Sequence, residues 1–123
     1  MSDSTKLRTK LAEYPFPQTV LARVSPFVAM VEAGKIDQAR ATLGQIALKI
    51  CEALRSNSIT PKEADQVFTL LDVYLSDNYP DLDQGSAADE LIFEGQFLHH
   101  YGDEHGSDLE MMEQLARQLI DGQ

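Results

Sequence analysis

The sequence predicts an all-α fold: a compact bundle of four main helices plus a short N-terminal helix. Three observations carry that expectation. Apolar residues recur at three- and four-residue spacing almost throughout, and no run alternates apolar and polar cleanly enough for a strand. Helix-start and helix-stop residues punctuate the chain at regular intervals. The connections between helical stretches are short, as in bundles of roughly antiparallel neighbours. A chain of 123 residues, 43% hydrophobic and 24% charged, has the composition of one globular domain, 1–123.

Residues 1–17 are expected to form an N-terminal arm or short helix. Leu7, Leu11 and Tyr14 share a side of Thr5 to Tyr14 before Pro15-Phe16-Pro17 stops it. A helix resumes near Gln18 with an apolar stripe of Val20, Leu21, Val24, Phe27, Val28 and Val31. Pro26 interrupts the stripe, so either the helix kinks there or Ser25 caps a new one. Gly34 is a stop signal. Asp37 then reads as the cap of a long amphipathic helix to about Arg55, with Ala39, Leu43, Ile46, Ala47, Ile50 and Leu54 on its inner arc.

Thr60-Pro61-Lys62-Glu63 has the composition of a capping box. It opens a helix to about Ser76, with Val67, Leu70, Leu71, Tyr74 and Leu75 facing inward. Asp77 to Gly85 reads as a loop. Ser86 is the expected cap of a helix ending near Tyr101, and Gly102 to Gly106 a further loop. Ser107-Asp108-Leu109-Glu110 is a second capping box, opening a last helix with Met112, Leu115, Ala116 and Leu119 inward. Val31 to Ala39 resembles the inter-helix turn of a tetratricopeptide unit. No second copy stands at a period of 34 residues, so a solenoid is not expected.

Charge is distributed unevenly. The first 57 residues hold eight basic and five acidic groups; the remaining 66 hold two basic and fifteen acidic, within a formal net charge of −10. Lys62 is followed by 54 residues without lysine or arginine. Such a field repels nucleic-acid backbones and anionic lipid and attracts basic surfaces and cations. The only basic cluster, Lys6, Arg8 and Lys10, is outweighed by the rest. No apolar run is long enough to span a bilayer, and Met1 to Lys10 lacks the apolar stretch of a signal peptide. A lone cysteine, Cys51, fits a reducing cytoplasm and reads as a small core residue rather than a nucleophile.

The helix after Ser86 is the least ordinary. At 100° per residue Leu91, Phe97, Leu98 and Tyr101 define an apolar sector, and Glu90 and Glu94 fall inside it. Burying two carboxylates needs a metal, a basic partner or a rotation that leaves both at the rim. Glu94, His99, His100 and His105 are the candidate metal ligands, since imidazole and carboxylate suit transition metals. Their spacing matches no established pattern, and adjacent His99 and His100 diverge on a helix. The bland reading is a histidine-bearing helix end followed by a hydrated acidic loop. Asp81 to Gly85 fails as a calcium loop, because Ser86 and Ile92 stand where Gly and Glu are required.

No catalytic or phosphate-cradling motif is present, and no cofactor is expected. The sequence thus favours a non-enzymatic module of inhibitor, immunity or adaptor type that docks a basic protein. Asp77, Tyr79, Asp81, Asp83, Asp89, Glu90 and Glu94 are its candidate contact residues. A metal-binding helical protein and a homo-oligomer are the alternatives.

Overall fold

A computed structural model describes residues 11–79, 87–98 and 109–121. They are helical: a 3-10 turn at Leu11–Glu13, then α1 (Gln18–Glu32), α2 (Ile36–Arg55), α3 (Pro61–Asn78), α4 (Ala87–Gly95) and α5 (Leu109–Asp121). Four helices have 13 to 20 residues, and α4 has nine. No strand occurs among the described residues. The principal helix contacts close a ring in the order α1, α2, α5, α4, α3 and back to α1, with α2 against α5 the most extensive. Inside the ring lies one hydrophobic cluster to which every helix contributes.

Helix α1 runs unbroken through Pro26, so Ser25 is not a cap. All six residues of its expected stripe are buried. The tertiary packing of that stripe outweighs the missing amide at Pro26. Gly34 ends the helix in the left-handed region at φ 77°. Its amide donates to Val31 O at 3.0 Å and that of Lys35 to Met30 O at 2.9 Å, the paired bonds of a Schellman turn. The same turn closes α2, with Asn57 at φ 60° and the Ser58 amide donating to Ala53 O at 2.8 Å.

Asp37 is not the cap of α2. The cap position is Lys35, and Asp37 sits in the first turn, 3.7 Å from Arg40. The tight turn at Gly34 returns the chain to helical geometry within two residues, before Asp37 is reached. Thr60 does cap α3: the Glu63 amide donates to Thr60 Oγ1 at 3.1 Å, with Pro61 at the first helical position. The Glu63 carboxylate reaches Arg23 of α1 at 3.5 Å. Helix α3 continues two residues past Ser76, so Asp77 lies in the helix and not in a loop. The Asn78 side chain donates to Tyr74 O at 2.9 Å and the Tyr79 amide to Leu75 O at 2.7 Å, which supplies the last turn's carbonyls. The caps expected at Ser86 and Ser107 lie outside the described residues.

Two glycines set how closely the helices approach. A Cβ on Gly44 of α2 would stand 2.5 Å from the Ala116 carbonyl oxygen and 2.9 Å from Ile120 Cγ1 of α5. A Cβ on Gly95 would stand 2.1 to 2.5 Å from ring carbons of Phe68 on α3, a fully buried side chain. Gly44→Ala should therefore destabilise the fold by about 1–3 kcal/mol, although alanine adds roughly 1 kcal/mol of helix propensity. Gly34→Ala meets nothing within 4 Å. It should cost only the roughly 1–2 kcal/mol of a left-handed conformation. Urea denaturation of the two variants, with the native helical signal checked by circular dichroism, measures both.

Candidate functional site

The ring divides by charge. Helices α1 and α2 are adjacent and come from the basic part of the chain. Helices α3, α4 and α5 form the complementary arc and carry ten acidic residues against two basic ones, Lys62 and Arg117. An arginine–glutamate bridge crosses each seam: Arg23 to Glu63 between α1 and α3, and Arg55 to Glu113 between α2 and α5. Each takes one of the ten carboxylates that the described helices α3 to α5 carry. Lys62 is on α3 and Arg117 on α5, while α4, between them, carries Asp89, Glu90 and Glu94 and no cation.

Of the three expectations for α4, the structure has the rotation that keeps Glu90 and Glu94 out of the core, and it takes Phe97 out of the expected apolar sector. Ala88, Leu91, Ile92, Gly95 and Leu98 are buried. Asp89 and Glu90 are exposed, Glu94 is half-buried, and Phe93 and Phe97 point outward. The inner sector is thus Ala88–Leu91–Ile92–Gly95, not Leu91 with Phe97. Gly95 against the Phe68 ring fixes that rotation, because no other residue of α4 permits so close an approach. The helix also ends at Gly95. The amides of Gln96 and Phe97 donate three residues back, to Phe93 O and Glu94 O, at 3.2 and 3.1 Å. A 3-10 tail turns about 120° per residue, so an α-helical wheel misplaces Phe97.

Phe93 and Phe97 are the exposed large hydrophobic residues among those described, 57% and 40% accessible. Their rings meet edge to face with centroids 5.2 Å apart. The outer face of α4 is therefore an aromatic pair flanked by Asp89, Glu90 and Glu94. Sequence reasoning set Phe97 in the apolar sector and pointed Phe93 and Ile92 away from it; Phe93 does point away, whereas Ile92 is buried and Phe97 is exposed. The available signal was Gly95 itself, since a glycine inside an apolar helix marks a close approach.

The other candidates sit differently. Asp77 and Tyr79 join a polar and aromatic cluster at the end of α3. Tyr14 donates to Asp77 Oδ2 at 3.0 Å and accepts from Asn78 Nδ2 at 3.3 Å. Tyr74, fully buried, donates to Glu32 Oε2 at 2.7 Å. Its ring lies 6.4 Å from that of Tyr14 and 6.1 Å from that of Tyr79. Tyr79 is half-buried against the bundle, and Asp77 is exposed with its side chain engaged by Tyr14. Asp81, Asp83, His99, His100 and His105 lie outside the described residues. Of the metal set only Glu94 is described. Among the described residues no three His, Cys, Asp or Glu side chains are grouped to share a metal, and no helix is long and apolar enough to cross a membrane.

Cys51 is fully buried on α2. Burial, and next the Glu113 carboxylate, push its thiol up to about 11, while Arg55 opposes them. A protonated, enclosed thiol is a poor nucleophile at neutral pH. The chain finds no match among known protein families, characterised proteins or solved structures.

The native protein should resist thiol reagents at pH 7 and react once unfolded in urea. The unfolded thiol ionises near 9.0 and the buried one near 11, so this group lowers stability only as pH rises through that interval. Urea midpoints measured from pH 8 to pH 11 should fall less steeply in Cys51→Ala than in the parent chain.

Proposed function

We propose that this protein is a non-enzymatic docking module whose acidic arc, α3 to α5, binds a basic protein, in the manner of an inhibitor or adaptor. The observation behind this reading is the spatial separation of charge. Ten of the acidic residues after Asn57 stand on the adjacent helices α3, α4 and α5, and the middle helix exposes Asp89 and Glu90 with no lysine or arginine of its own. A field of one sign on one face accelerates encounter with a positive surface and rejects nucleic acid and anionic membrane.

Aromatic residues among carboxylates add to the reading. Purely charged rims steer association but contribute little to affinity, whereas desolvated aromatic anchors hold a complex together. The outer face of α4 combines the two.

The immobilised protein, challenged with lysate at low ionic strength, should retain a protein of basic isoelectric point. Retention should be lost at roughly 0.5 M salt, where screening is nearly complete over a few ångströms. It should also fall with the variant Asp89→Asn/Glu90→Gln/Glu94→Gln, quantified by mass spectrometry. Recovery of the same proteins by both baits, or of none with basic character, would overturn the proposal.

A further inference from the structure

We infer that the Phe93–Phe97 pair is the anchor of that docking face, and that its occupant is an arginine-bearing amphipathic segment of a partner protein. The inference rests on the acidic-arc reading and adds to it a place and a chemistry. The two phenyl rings are 57% and 40% accessible and meet edge to face, on the outward side of α4 that also exposes Glu90. A guanidinium fits this arrangement in two ways at once. It stacks on an aromatic face, and its planar fork pairs with a carboxylate such as Glu90. An ammonium makes the second contact as a point charge and loses most of the first.

Apolar side chains of the same segment are needed to cover the rest of the rings. Phe93 and Phe97 are four residues apart on neighbouring turns, so a segment with apolar residues on one face spans both. A second copy of this chain is a poorer occupant of the face. Two such faces brought together symmetrically would set Asp89, Glu90 and Glu94 against like charges, which opposes association.

The chain has no tryptophan, so a peptide's indole can report binding without interference. Two synthetic peptides of identical leucine, arginine and tryptophan composition serve as probes. One places the leucines on a single helical face, and the other disperses them. The amphipathic peptide should bind the parent protein about tenfold more tightly or better, as for truncation of a hot-spot aromatic. Phe93→Ala/Phe97→Ala should remove that preference and leave a salt-sensitive residual affinity shared by both peptides. Neither ring belongs to the buried core, so circular dichroism of the variant should match the parent. Replacing every arginine of the amphipathic peptide by lysine should weaken its binding to the parent and make no difference to the variant.

Equal binding of the amphipathic peptide to parent and variant would overturn the anchor while leaving the acidic arc intact. Failure of both peptides to bind at low salt would overturn the acidic-arc reading as well. Light scattering that shows the parent self-associating and the Phe variant monomeric would give the face to a second copy and end the inference.

Discussion

The close approach of α2 and α5 at Gly44 is the constraint on which the ring depends. Helix α2 touches all the other helices, and its seam with α5 is the most extensive contact in the fold. With no side chain at Gly44, the Ala116 carbonyl and Ile120 come into the space a methyl would fill. Helices at that separation bury Leu43, Ala47, Ile50 and Leu54 of α2 with Met112, Leu115, Ala116 and Leu119 of α5. Dispersion falls steeply with distance, so a displaced seam would loosen every contact along it. The Arg55–Glu113 bridge lies on the same seam. Arg55 is partly exposed there, so the bridge adds register more than stability.

A second glycine contact does for the surface what Gly44 does for the core. Gly95 against Phe68 turns α4 so that its apolar aliphatic side faces inward and its two phenylalanines face out. The rotation resolves the problem posed by Glu90 and Glu94. They are not buried with the apolar residues; Glu90 is in solvent and Glu94 at the rim. The energetic cost of burying a carboxylate exceeds that of exposing a phenyl ring, so this is the arrangement physics favours in isolation. The exposed rings are then the unusual feature of the surface, and an anionic setting limits what can cover them.

The tyrosine cluster ties the segment before α1 to the C-terminal ends of α1 and α3. Tyr14 comes from the segment before α1, Glu32 from the end of α1, and Tyr74, Asp77, Asn78 and Tyr79 from the end of α3. Tyr74 can be fully buried because its hydroxyl has a partner in Glu32. Glu32 and Asp77, two acidic residues that count toward the net charge, are thus also structural acceptors. Their contribution to an external field is shared with an internal role, unlike that of Glu90 on α4.

Helix class, the stripes of α1, α2 and α5, the Gly34 stop and the Thr60 cap were legible in the sequence. Each follows from local rules: apolar spacing at the helical period, a left-handed turn that glycine tolerates, a hydroxyl within reach of a free amide. The uneven charge was legible for the same reason, since formal charges are properties of residues. Ring order, the continuity of α1 through Pro26 and the outward turn of Phe93 and Phe97 were decided only in three dimensions. They depend on which glycine meets which neighbour, Gly44 with Ala116 and Gly95 with Phe68, across 72 and 27 positions of chain. Periodicity says that a helix has an apolar side, whereas the fit of one backbone against another side chain determines which way that side is turned.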